Sequence, residues 1–376
     1  MTEQPYDLLV RAPRLFCADS GLDGPGAVTI RGDRIVASGP GVEGPAHTVL
    51  DFPDALLLPG LVDLHAHPAR GQSRFGIDPD LHFLPRGVTT VMSQGDAGTV
   101  NIDDYRRTVI EASRTRVLLA INLCKHGETH PVRCFNDLAD ADAQACADAI
   151  AADDRSIWGI AVTVTGGACA DGLDPRPIMA AGLEAAELSG KPLLVGTRLK
   201  PDWPRREQLP LLRPGDVVTY SLNALPENLM DGDRIADDVW EARQRGVLFD
   251  LGHGMNSFSF PIAEATIAEG FLVDTVSTDQ YNRHVDSRPQ HDLPRTMSKL
   301  IAAGMDEADV FARATAHPAA VLGLKGEVGT LALGACADLA VLRWNEEALP
   351  LCDVNGEERL GGCWEPVATI RGGQVV

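Results

Sequence analysis

Eight apolar, β-branched runs recur through the middle of the chain: LLLPGLVDLHAH, GVTTVMSQ, TRVLLAINL, WGIAVTV, PLLVGTR, DVVTYSL, VLFDLGH and DTVSTDQ. Each is followed by a polar loop and usually by a stretch with helical spacing. Strands that are apolar on both faces mark a parallel sheet covered by helices. MAAGLEAAELSG and IADDVWEARQRG show that helical spacing and stop at glycine, the usual residue just past a helix end. Eight strand–helix units over about 260 residues predict a (β/α)8 TIM barrel. The competing α/β architecture, an open doubly wound sheet, lacks support because no GxGxxG turn follows the first run.

The two ends are patterned differently. DLLVRA, AVTIRGDRIVASG and HTVLDF at the start, and GTLALGACADLAVLRW and VATIRGGQVV at the finish, alternate apolar and polar positions. Gly32-Asp33 and Gly372-Gly373 read as two-residue hairpin turns. Neither set has enough strands to close a core alone. The economical division is a small β-sandwich module from residues 1–55 plus 328–376, carrying a barrel over 56–327.

Composition narrows the function. A chain of 376 residues buries a sizeable core without staples, and its eight cysteines form no CxxC pair, so they read as reduced thiols. The N-terminus carries no signal-peptide pattern, and no apolar run approaches the roughly 18 to 20 residues of a membrane span. A soluble, cytoplasmic protein is expected. The formal charge of −20 repels phosphate backbones and offers no footing for nucleic acid or an acidic membrane, which leaves a small molecule as the partner. Barrels of this size often pair, yet no surface stripe marks a homo-oligomer interface.

Candidate chemistry lies at the strand ends. Residues two apart on a strand point the same way, so His65 and His67 present two imidazoles at the carboxyl end of the first barrel strand, where active sites of this fold lie. Asp279 ends the eighth run and faces the same axis. Two histidines, a carboxylate and an open position match a catalytic zinc site, and Asp279 also suits the general-base role. Manganese or ferrous iron accepts the same ligands. The plain alternative for Asp279 is a helix cap.

Taken together, PGLVDLHAHP, the STD of Ser277 to Asp279, HPAAVLGL and GTLALGACADLAVL resemble the amidohydrolase superfamily over essentially the whole chain. FDLGHGMNSFSFPIAEATIAEGF followed by DLPRTMSKLIAAGM is similar to its deacetylase-like branch, related to dihydroorotases. The resemblance implies that His65 and His67 bind a metal, that Asp279 binds it or moves protons, and that His253 of the GHG segment faces the substrate or else orders its loop. It also implies a two-metal centre bridged by a lysine on the fourth strand, with histidines from the fifth and sixth. This chain departs from that pattern. Ala161 stands for the lysine, PLLVGTR offers Gly196 and Thr197, and Tyr220 replaces the sixth-strand histidine; Lys200 lies just beyond.

A single divalent ion therefore remains as the expected cofactor, with the vacated side taken by substrate-binding groups. Arg198 and Tyr220 suit a carboxylate or carbonyl, and Gln94, Asp96, Asn122, Arg283 and His284 are further polar candidates near the mouth. Replacement ligands from His126, Glu128 or His130 compete with an ordinary polar loop, and Cys124 and Cys169 lack a base partner for thiol chemistry. Two readings follow: an enzyme hydrolysing an amide, cyclic amide or ester of a small metabolite, and a silent barrel that binds a ligand without cleaving it.

Overall fold

The computed structural model describes residues 4–129 and 133–376. Seven of the eight apolar runs form a parallel sheet in sequential order: Leu61–Ala66, Val88–Gln94, Arg116–Asn122, Ile157–Thr163, Leu193–Gly196, Val217–Thr219 and Leu248–Phe249. The eighth, 274–280, bridges both free edges of that sheet. Thr275 pairs with Asp250 and Gln280 pairs with Ala66, both parallel. Backbone hydrogen bonds run from Leu251 N to Thr275 O at 3.1 Å on one side and from Asp279 N to His65 O at 2.7 Å on the other. The chain is an α/β protein whose eight strand segments are joined edge to edge.

Local chemistry explains the covering helices. Arg176–Ser189 stops where Gly190 turns left-handed at φ +68°, and Asp237–Gln244 is followed by Gly246 at φ +94°. Leu293–Ala302 begins with Asp292 accepting from Arg295 N. That cap belongs to Asp292, and Asp279 is left to other work. Val62, Leu64, Met92, Ala120, Ala161, Leu194 and Val217 fill a common apolar cluster, so the space inside the strands is a packed core below the site.

Strands from both ends make up an eight-stranded sheet comprising Tyr6–Cys17, Leu22–Arg31, Arg34–Gly39, Ala46–Asp51, Leu56–Pro59, Leu339–Asn345, Cys363–Arg371 and Gln374–Val375. Both predicted hairpins are present, with Arg31 opposite Arg34 and Arg371 opposite Gln374. Hydrogen bonding runs through these strands as one branched sheet, and their inward side chains enclose an apolar cluster of their own that includes Val10, Val28, Ile30, Leu57, Leu339 and Ile370. Tyr6–Cys17 pairs with Ala46–Asp51 along its first half and with Leu56–Pro59 at Arg14 and Leu15, the register changing between Ala12 and Leu15.

The apolar run LLLPGLVDLHAH divides at Gly60. Leu56–Pro59 belongs to the terminal sheet, and Leu61–Ala66 belongs to the parallel one. Gly60 N donates to Asp338 O at 2.7 Å, and a Cβ here would lie 2.2 Å from Thr89 Oγ1. The close approach of the two sheets demands glycine. Among the described residues no helix is long and apolar enough to cross a membrane.

Candidate metal centre

His65 is fully buried, and its Nδ1 lies 2.7 Å from Thr219 Oγ1. The Thr219 hydroxyl donates in turn to Asp250 Oδ2 at 2.8 Å. A hydroxyl that gives its proton to a carboxylate has only lone pairs left for the imidazole, so Nδ1 carries a proton and Nε2 is the ring atom left to face a cation. Asp250 also accepts from Thr275 and Ser277, both at 2.6 Å, which fixes its position. His67 follows the same rule through a shorter path. Its Nδ1 lies 2.9 Å from Asp96 Oδ1, and Asp96 is held by Ser73 and Ser93. Partners of this kind are what orient metal-binding imidazoles.

Asp279 is carried into place by the first strand. Asp63, fully buried, accepts from Thr278 Oγ1 at 2.5 Å, from Thr278 N at 3.1 Å and from His65 N at 3.3 Å. Next along the chain, Asp279 adopts φ +46°, an uncommon region for a residue with a side chain. Such backbone costs on the order of 1–3 kcal/mol and persists only where its surroundings enforce it. Gly254 makes room for the turned carboxylate, because a Cβ there would lie 2.3 Å from Asp279 Oδ2. Asp279 Oδ1 then sits 3.4 Å from His65 Nε2 and 3.3 Å from His67 Nε2.

The result is three ligand atoms, one each from His65, His67 and Asp279, all within 4.8 Å of one another. His65 Nε2 is buried and has no hydrogen-bond partner among the described residues. An unpartnered lone pair, a second bare imidazole nitrogen and a carboxylate facing one point require something positive between them. Without an ion, protons fill that need. Desolvation alone would lower the histidine pKa values, but Asp279 and Asp250 push His65 up to about 9, and Asp96 and Asp279 push His67 up to about 10. Burial opposes ionisation of Asp279 too, yet the two imidazoles hold it well below the usual carboxylate range. The donor set, two imidazoles and a carboxylate with oriented partners behind them, fits a divalent cation of the zinc type.

A cleft of about 710 Å³ opens onto this cluster. Its wall includes His67, Asp279, Tyr220, Gln94, Arg74 and Lys200. Of the residues singled out in the sequence, Gln94 reaches the cleft and donates to Thr163 Oγ1 at 2.6 Å, and Tyr220 lies against His65 with ring centroids 5.1 Å apart. Other candidates go elsewhere, each for a local reason. The His253 Nε2 faces Lys299 Nζ at 2.7 Å and its ring stacks on Phe258, so it orders the loop behind Asp279 rather than lining the cleft. Arg198 closes its fork on Asp202, and Asn122 bridges Gly95 O and Cys124 N. Arg283 is exposed on a short turn and also lies off the wall. Glu128 is on the wall but is paired with Arg74 at 2.9 Å, and neither it nor the half-buried His126 joins the ligand group. His130 lies outside the described residues.

Sequence reading passed over Thr219, Asp250, Asp63 and Thr278, which set the geometry. A usable signal was present for three of them: Asp63, Thr219 and Asp250 interrupt or end otherwise apolar runs, and a polar residue buried in such a run needs a partner.

The amidohydrolase family model matches residues 256–376. The chain is 33% identical to a deacetylase of Agrobacterium fabrum over 93% of this chain and 86% of that protein. It is 30% identical to a deacetylase of Enterococcus faecalis over 98% and 99%. Among solved structures, an adenine deaminase superposes with a TM-score of 0.89 at 29% identity, and a dihydroorotase with 0.85 at 30%, each over 99% of both chains. With near-complete coverage of such relatives and a strand-end cluster built as described, the chain belongs to the amidohydrolase family, hydrolases that act on carbon–nitrogen bonds.

Proposed function

We propose that this protein hydrolyses an amide bond of a small N-acyl compound, using one divalent ion held by His65, His67 and Asp279. The observation that carries this reading is the convergence of the two imidazole Nε2 atoms of His65 and His67 on Asp279 at 3.4 and 3.3 Å. The names of the two relatives aligned over nearly the whole chain, both deacetylases, favour an acyl group as the part removed.

A divalent ion in this position supplies Lewis acidity, acidifying water and polarising a carbonyl. The chain's own groups do the rest. Asp279, kept ionised by the adjoining imidazoles, accepts the proton of the attacking water and delivers it to the leaving nitrogen. With the ion bound, Thr219 with Asp250, and Asp96, would keep the remaining proton of each ring on Nδ1 and leave both Nε2 atoms to the ion. Gln94 and Tyr220 face the substrate from the second and sixth strands. The terminal strands of 1–55 and 328–376, joined by Leu56–Pro59 from the start of the expected barrel segment 56–327, serve as the platform for the barrel.

Metal analysis joined to an acetate-release assay on N-acetylated amino acids and arylamines tests the reading. About one zinc, manganese or iron per chain, with activity lost on chelation and restored by the ion, is the expected result. Protein that takes up no metal after supplementation and releases no acetate would instead be a silent ligand-binding barrel.

A further inference from the structure

Tyr220 follows the sixth parallel strand and adopts φ +65°, a backbone region rare for a bulky residue. Asn223 Nδ2 donates to its carbonyl at 2.8 Å and holds the turn. The ring is cradled between two glycines. A Cβ on Gly196 would lie 2.9 Å from Tyr220 Cε2, and one on Gly252 would lie 3.1 Å from Tyr220 Cδ1. Gly196 has no positive φ, so its backbone would accept any residue. Its missing side chain answers to the Tyr220 ring and to Thr163, whose Cγ2 a Cβ would approach to 3.0 Å.

The ring meets His65 edge-on at 5.1 Å and lines the cleft beside Asp279. Its hydroxyl forms no hydrogen bond among the described residues, the Asn223 contact being to the backbone. The group is a protonated donor without a partner, beside the ligand cluster, on a backbone that its surroundings force.

We infer that Tyr220 is a catalytic residue whose phenol donates a hydrogen bond to the carbonyl oxygen of the scissile amide, stabilising the negative charge that develops there when water attacks. This rests on the hydrolytic reading above. In the reaction the water oxygen bonds to the carbonyl carbon and the C–N bond breaks. The proton of the water passes by way of Asp279 to the leaving nitrogen, and Tyr220 keeps its own proton throughout. The phenol occupies the sixth-strand position where the related two-metal pattern has a histidine, so a fixed dipole replaces part of the missing positive charge.

The test uses Tyr220→Phe, which keeps the ring and removes only the hydroxyl, and Gly196→Ala, which crowds the ring from behind. Wild type and variants are assayed for acetate release from N-acetylated amino acids, and for binding of the matching N-methylphosphonyl amino acids, whose tetrahedral phosphorus mimics the attacked carbonyl. Tyr220→Phe is expected to lower kcat by about 10² to 10³ with KM within roughly threefold and metal content unchanged. Affinity for the phosphonyl compounds should fall by a similar factor while that for the free amino acid holds, and Gly196→Ala should shift kcat in the same direction. An active wild type with an equally active Tyr220→Phe would overturn the role of Tyr220 and leave the hydrolytic reading standing. A wild type that binds metal or not but turns over no member of the panel and binds no phosphonyl compound would overturn both.

Discussion

Between the ring of His65 and the buried carboxylate of Asp250 stands a single hydroxyl, Thr219 Oγ1, 2.7 Å from one and 2.8 Å from the other. Thr219→Val keeps the shape and removes that link, so the imidazole loses the acceptor that fixes its tautomer. Metal affinity should drop by about 10- to 100-fold and stability by about 1–3 kcal/mol, measured by chelator competition and thermal unfolding. Unchanged affinity would show that the His65 tautomer is set by something else. The proton count at the same cluster gives a second expectation. In the metal-free protein the raised histidine pKa values, about 9 and 10, contribute stability that is complete below about 6.5 and lost as pH rises through those values. The lowered pKa of Asp279 contributes above about 3.9 and is lost as pH falls through its folded value. An entering cation must displace the two imidazolium protons. Calorimetry at pH 7 in buffers of different ionisation enthalpy should therefore record about two protons released per ion, and none would contradict the arrangement.

At the scale of elements, the first strand of the parallel sheet and the bridging segment 274–280 are tied by Asp63, whose carboxylate accepts from Thr278 and from His65 N. Burial raises its pKa to about 7 against the hydrogen bonds that lower it. A carboxyl raised on folding favours the folded state at low pH, so this contribution is complete below about 3.9 and disappears as pH rises through about 7. Asp63→Asn removes the ionisation while keeping an acceptor for Thr278. The decline in stability between pH 4 and 7, followed by urea denaturation, should be shallower in the variant than in wild type. An identical slope would place that pH dependence elsewhere. The same strands show how much was legible beforehand. LVDLHAHP announces a strand with two histidines on one face, whereas Asp63 gains its meaning only beside Thr278, 215 positions further on.

For the whole molecule, the junction of the two sheets is the feature that joins the chain's ends to the site. Leu57 is fully buried and pairs with Leu15 on one side and Val341 on the other. Three residues later Gly60 passes the chain into the strand that carries His65. Leu57→Ala should cost about 2–5 kcal/mol in global stability, read by urea denaturation, with site metal released in the same transition. Release of the ion well before the main transition would mean that the site opens independently of the terminal sheet.

The sequence by itself determined what depends on near neighbours: the apolar runs and their order, the helix ends at Gly190 and Gly246, the hairpins at Gly32-Asp33 and Gly372-Gly373, and the pairing of His65 with His67. Periodicity, turn preference and strand alternation act over a few residues, and a single chain displays them. Only the tertiary structure decided which polar groups meet. His253 turned to Lys299, Arg198 closed on Asp202, Asp96 became the partner of His67, and Thr219 with Asp250 set the tautomer of His65. A long, flexible or multiply bonding side chain takes whichever partner the fold brings within about 3 Å, and that choice is made across strands distant in sequence.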